Sequence, residues 1–167
     1  MSGSGGEVKT GGCQCGAVRF RVEGKLGEAS ICHCRMCQKA FGSFFAPLVD
    51  VDTSDLTWKR GKPTYFASSD VVDRGFCSNC GTPLVFAYRD YYLTGLAIGA
   101  FDDPGSIEIT KQHWVRDRVP SLVYAVIKTP CDQEDAPEFA SIIAEIDASI
   151  HQHPDYETPE WPMGKRL

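Results

Sequence analysis

Three thiols fall within six positions in Cys32-His33-Cys34-Arg35-Met36-Cys37. Three soft ligands from one short loop can hold a zinc ion and leave its fourth position open, the feature that separates catalytic from structural zinc. Two further pairs, Cys13-Gln14-Cys15 and Cys77-Ser78-Asn79-Cys80, supply four more thiols. Two residues between Cys77 and Cys80 let both sulfurs face one ion, and Gly81 permits the turn that follows. Cys13, Cys15, Cys77 and Cys80 therefore read as a closed tetrahedral zinc site, and Cys32, Cys34 and Cys37 as a second, open one. Of the eight cysteines, Cys131 is left over.

Other chemistries fit the same residues. Eight cysteines would pair as disulfides in an oxidising compartment. No apolar signal segment follows Met1, however, and in a reducing compartment clustered cysteines read as metal ligands or redox groups. Alternatively both sites are structural, with His33 or the distant His113 as the fourth ligand of the loop. His33 stands between two ligands, so its side chain is expected to point away from the ion they share.

The rest of the chain bounds what these sites can serve. A length of 167 residues suits one domain with its own core. No apolar run approaches the roughly 20 residues needed to cross a bilayer. The formal net charge of -5 argues against a nucleic-acid partner. Arg19, Arg21, Lys25, Lys59, Arg60, Lys62, Arg116 and Arg118 are scattered and read as solvated strand faces or turns.

The elements that must position the thiols are mostly strands. Residues 17–22 alternate apolar and polar directly after the first cysteine pair, and a helical turn is expected over residues 36–40. Residues 43–49 form a buried run that ends in an acidic turn over 50–55. Thr57-Trp58 and Thr64-Tyr65-Phe66 bracket Arg60-Gly61-Lys62-Pro63, a hairpin signal. Residues 71–76 and 83–88 flank the Cys77/Cys80 knuckle, as in a zinc ribbon, and residues 91–98 are a further apolar segment before the turn at Asp102-Asp103-Pro104-Gly105. Phe139, Ile142, Ile143, Ile146 and Ile150 recur at helical spacing after Pro137. The expected fold is mainly β, with antiparallel sheets around a zinc ribbon and one C-terminal amphipathic helix. Residues 1–7 read as a flexible arm, 8–150 as a single zinc-binding domain, and 151–167, with Pro154, Pro159 and Pro162, as an irregular tail that wraps the surface or stays disordered.

The ordered set Gly12-Cys13-Gln14-Cys15-Gly16-Ala17-Val18, Cys32-His33-Cys34-Arg35-Met36-Cys37 and Arg74-Gly75-Phe76-Cys77-Ser78-Asn79-Cys80-Gly81-Thr82-Pro83-Leu84 closely resembles the glutathione-dependent formaldehyde-activating enzyme family, which includes centromere protein V. The resemblance runs from about Gly11 to about Leu122, with Ser68-Ser69 and Gly99-Ala100-Phe101-Asp102-Asp103-Pro104 as weaker marks. It implies two zinc ions per chain, the first and third cysteine groups holding a structural one and Cys32, Cys34 and Cys37 one that binds substrate. It implies a carbon-sulfur lyase activity, in which a small-molecule thiol such as glutathione adds to formaldehyde, giving S-hydroxymethylglutathione, or the reverse. Two positions depart: Gln112 and Ser121 stand where the family commonly has His and Trp.

Zinc held by three thiolates carries net negative charge, so a further thiolate needs a compensating cation. Arg35 or Arg74 could provide it, or bind a substrate carboxylate. Ser68 and Ser69 could donate hydrogen bonds to substrate or simply shape a turn. His33 could shuttle a proton or hydrogen-bond the loop backbone. A non-catalytic zinc module for protein partners and a thiol or zinc redox sensor are the competing functions. A reducing compartment, cytoplasmic or nuclear, suits all three.

Overall fold

The computed structural model describes residues 7–122, 141, 144, 145, 148 and 152–159. Ten strands and a short helix order the first stretch. Strand β1 (Val8–Gly12) is followed by β2 (Arg19–Glu23), β3 (Ala29–Cys32), helix α1 (Arg35–Phe41), β4 (Ala46–Asp52), β5 (Leu56–Arg60), β6 (Thr64–Ala67), β7 (Val72–Phe76), β8 (Pro83–Tyr88), β9 (Leu93–Ala97) and β10 (Lys111–His113). They form a three-stranded sheet, β1-β2-β5, and a seven-stranded sheet, β10-β3-β4-β9-β8-β7-β6.

The core lies where the two sheets meet. Period-two alternation directs Phe20 and Val22 of β2 inward, where they join Val49, Val51, Leu84, Val85, Leu96 and Phe101. Phe20 is fully buried and meets Trp58 and Phe101 edge-on, at centroid distances of 6.0 and 5.1 Å. This geometry adds to area burial because the positive ring edge faces a negative ring face. Arg19, expected on a solvated strand face, is instead buried and grips Asp102 with both terminal guanidinium nitrogens, Nη1 donating to Oδ1 at 2.8 Å. Thr10 Oγ1 donates to the same carboxylate at 2.6 Å.

All pairings among the described residues are antiparallel except one: β10 runs parallel to β3, with His113 opposite Cys32. The hairpin signal between β5 and β6 does not produce a hairpin. β5 pairs with β2, where Trp58 lies opposite Phe20, and β6 pairs with β7 in the other sheet. The intervening segment is a crossover: Gly61, at φ 54°, passes so close to Ala17 that a Cβ would stand 2.3 Å from its carbonyl oxygen. The acidic stretch expected to turn at residue 50 stays extended to Asp52, whose carboxylate caps the turn over Thr53–Asp55.

Of the C-terminal helix, Ser141, Ala144, Glu145 and Ala148 are helical and exposed, the spacing of one outward face. Phe139, Ile142, Ile143, Ile146, Ile150 and Cys131 lie outside the described residues. No helix among the described residues is long and apolar enough to cross a membrane.

Candidate metal centres

Cys13 and Cys15 sit in the turn between β1 and β2, and Cys77 and Cys80 in the knuckle between β7 and β8. The two turns meet so that all four sulfurs lie within 4.8 Å of one another. Cys13 and Cys15 are 3.6 Å apart, and Cys15 and Cys77 are 3.9 Å apart. With zinc–sulfur bonds of about 2.3 Å, the sulfurs of a tetrahedral site stand about 3.8 Å apart, so this donor set fits zinc. The scaffold is local. The Val18 amide donates to Cys13 Sγ at 3.2 Å, and Gly81, at φ 77°, sends its amide to Cys77 O at 2.8 Å. Thr82 Oγ1 accepts from the Gln14 amide at 3.0 Å and contacts Cys80 Sγ at 3.2 Å, joining the halves.

Burial pushes the Cys13 and Cys15 thiols up, against the amides of Val18 and Ala17 respectively. Burial also opposes ionisation of Cys80, but the Thr82 hydroxyl and amide outweigh it and bring that thiol to about 6. Burial penalises the thiolate form of Cys13 and Cys15, a penalty that a bound divalent cation would offset as it displaces their protons.

Cys32, Cys34 and Cys37 also lie with their sulfurs within 4.8 Å of one another. Cys32 ends β3, and Cys34 is the N-cap of α1, its sulfur accepting from the Cys37 amide at 3.4 Å. The Cys-x-x-Cys spacing is thus the capping spacing, N-cap to third helical residue. Cys37 is buried, while Cys32 and Cys34 are half-buried. Arg74 of β7, also buried, donates from Nη2 to Cys37 Sγ at 3.4 Å and from Nε to Ser68 Oγ at 3.0 Å. Its guanidinium lies over the Phe86 ring at 5.0 Å. A hydrogen bond from Cys32 and then the Arg74 cation hold Cys37 down to about 5 despite burial, while Cys32 is pushed up by the same bond and by its own burial.

Neither histidine joins the triad. His33 is buried, with Nε2 2.9 Å from Gln112 Oε1 and its amide donating to His113 O at 3.0 Å. His113 Nε2 lies 3.1 Å from Glu28 Oε1. Gln112 therefore supports the cysteine loop through His33. Gln38, which sequence reasoning passed over, does the same: its buried amide donates to His33 O at 2.8 Å and Asp117 O at 3.1 Å.

Beside the triad opens a cleft of about 360 Å³ lined by Arg35, Met36, Lys39, Ala40, Phe66, Ser68 and Arg74. Among the described residues, three cations and no carboxylate face it. Lys39 follows Arg35 by four residues, one helical turn, and that spacing was the sequence signal available for it. Met36 and Phe66, 56% and 62% exposed, form an apolar wall. Ser69 sits apart from the lining, its Oγ accepting from the Val71 amide in the turn between β6 and β7.

The chain is similar to known proteins. The family described as glutathione-dependent formaldehyde-activating enzyme matches residues 8–117, which include all seven cysteines of both groups. An uncharacterized lyase of Schizosaccharomyces pombe is 33% identical over 80 residues, 48% of this chain and 58% of that protein. The match thus spans somewhat over half the length of that relative. A Rhodobacter sphaeroides protein of known crystal structure is 23% identical, with a TM-score of 0.49 over 62% of this chain and 98% of its own. A family match over residues 8–117, well over half of the chain and including both groups of cysteines that could hold metal, places the chain in the glutathione-dependent formaldehyde-activating enzyme family.

Proposed function

We propose that the protein joins a small anionic thiol, glutathione or one like it, to formaldehyde or a related small aldehyde, as a carbon-sulfur lyase running in either direction. The observation that carries this reading is the thiol triad lying beside a cleft whose charged lining, among the described residues, is entirely cationic. In addition, the substrate sulfur bonds to the carbonyl carbon, the carbonyl π pair moves to oxygen, and the thiol proton ends on that oxygen. Zinc bound by Cys32, Cys34 and Cys37 would supply an open coordination position that keeps a thiol ionised near neutral pH or polarises a carbonyl. A second zinc on Cys13, Cys15, Cys77 and Cys80 would be structural.

The chain's own residues would then do three things. Arg74, fixed by Ser68 and Phe86, offsets the negative charge gathered on the sulfurs. Arg35 and Lys39 bind the carboxylates that distinguish glutathione from a neutral thiol. Met36 and Phe66 cover the thiol's carbon chain and exclude water from one side. A reducing compartment would keep both cysteine groups available.

The test is a cobalt-substituted protein titrated with glutathione, together with hemithioacetal formation measured against the uncatalysed rate. A change in the thiolate-to-cobalt charge-transfer band that Cys32→Ser abolishes, with a rate above background, supports the proposal. An unchanged spectrum and a background rate would sink it.

A further inference from the structure

Residues 152–159 lie beyond the family match, which ends at residue 117, yet they are built into the four-cysteine site. Gly16 follows Cys15 directly and holds φ 77°, and a Cβ there would stand 2.2 Å from His153 Cδ2. Only glycine leaves room for the imidazole. The His153 amide donates to the carbonyl of Gln14, between the two ligands, at 2.7 Å, and the residue is 5% exposed.

The ring's own bonds fix its tautomer. Nδ1 lies 2.7 Å from Pro154 O, a carbonyl that can only accept, so Nδ1 carries the proton. Nε2 is then a bare acceptor, taking the Thr158 hydroxyl at 2.9 Å and Arg60 Nη1 at 3.3 Å. Arg60 spans both sides of the joint: Nη1 also donates to Gly16 O at 3.0 Å, and Nη2 to Thr158 O at 2.6 Å. Gln152, His153 and Asp155 wall a cavity of about 260 Å³ that reaches Cys13, Gln14 and Thr82.

We propose that residues 152–159 are a strap that locks the four-cysteine site, with His153 as the key in the Gly16 socket and Arg60 as the clasp. The strap limits the rate at which a metal leaves that site and the rate at which a chelator or thiol reagent reaches Cys13. It holds the Cys13-Gln14-Cys15-Gly16 turn in its ligating shape by occupying the Gln14 carbonyl, while Arg60, which it engages through Thr158, holds the Gly16 carbonyl. This reading depends on the four-cysteine site and not on the reaction proposed for the triad.

The experiment uses full-length, zinc-loaded Cys32→Ser protein, so that the chelator-driven release observed comes from the four-cysteine site. His153→Ala should speed release about tenfold or more, the equivalent of losing one well-made buried hydrogen-bonded group. Thr158→Val, which removes the hydroxyl on Nε2 while keeping the side chain's shape, should speed it severalfold with an unchanged circular dichroism spectrum. Release at the parent rate in both variants, or in Thr158→Val alone should His153→Ala fail to fold, overturns the strap.

Discussion

Arg74 donates from Nη2 to the sulfur of Cys37 across 3.4 Å, from a strand 37 residues further along the chain. The cation and a thiol whose ionisation it favours are thus paired within the fold. With Cys32 donating first and Arg74 second, the Cys37 thiol falls from its ordinary 9.0 to about 5. In metal-free protein, alkylation by iodoacetamide should therefore show a thiolate already formed at pH 7, with reactivity rising through about pH 5. The sign for stability follows. A depressed acid contributes fully above its unfolded value and loses that contribution as pH falls through the folded one. Arg74→Lys keeps a charge but loses the planar fork, so the rise should move upward and zinc affinity of the triad should fall about tenfold or more. An unchanged alkylation profile in Arg74→Lys would remove the guanidinium from this role.

The cleft gives a prediction about substrate choice. Arg35→Gln together with Lys39→Gln removes two of its three lining cations without touching a thiol. KM for glutathione should rise about tenfold, the loss of one to two charge-assisted contacts, while KM for a neutral thiol such as 2-mercaptoethanol stays put. Equal changes for both thiols would mean that the cations serve the fold of α1 and not recognition.

Gly16 and Gly81 make a matched pair. Both hold φ 77° beside a cysteine of the four-thiol group, but Gly16 faces His153 while Gly81 faces open space. Gly81→Ala should cost about 1 kcal/mol in urea unfolding, the strain of a left-handed residue alone. Gly16→Ala adds a 2.2 Å clash with the His153 ring and should cost clearly more, with loss of amide protection over residues 152–159. Equal costs would mean that the ring is not seated in the turn.

The cysteine groups were legible in the sequence because ligand spacing is local: tetrahedral geometry restricts which short turns can present two sulfurs. The ribbon strands β7 and β8 were legible for the same reason, since period and turn chemistry are written within a few residues; the buried run expected over residues 43–49 holds only from Ala46 on, Ser43 and Phe44 being exposed. Partner choice is not local. Gly61 and Pro63 signal a reversal, but the packing of Trp58 on Phe20 decides that β5 joins β2 instead of β6. β10 is three polar residues without a pattern, held parallel to β3 by its ladder and by Glu28 bonding Lys111 and His113. Gln38 and His153 had no signal, because the carbonyls they serve, at Asp117 and Gln14, are 79 and 139 residues away.

The ion pair of Arg19 and Asp102 tests whether the turn at residues 102–105 is held by charge. Their side chains are 6% and 11% exposed, so each depends on the other for the solvation it lost on folding. Asp102→Ala leaves a buried guanidinium uncompensated and strips Thr10 of its acceptor, at a cost of about 3 kcal/mol or more in urea unfolding. Replacing both residues with apolar groups of similar volume removes the charge along with its partner, and should recover most of that loss.

Acid should open the strap. Burial holds His153 below the ordinary imidazole value of 6.5, and the Arg19 and Arg60 cations add to this against the Pro154 carbonyl and Asp102. A histidine with a depressed folded value stabilises the closed strap fully above 6.5 and loses that contribution as pH falls through the lower folded value. The added proton lands on Nε2, turning an acceptor into a donor that faces Arg60 and a hydroxyl already committed to donating to it. Hydrogen exchange across residues 152–159 should therefore accelerate between pH 7.5 and 5.5 beyond the intrinsic chemical trend. In His153→Gln that excess should vanish, because the amide cannot titrate. Persistence of the excess in that variant would assign the acid response to another group.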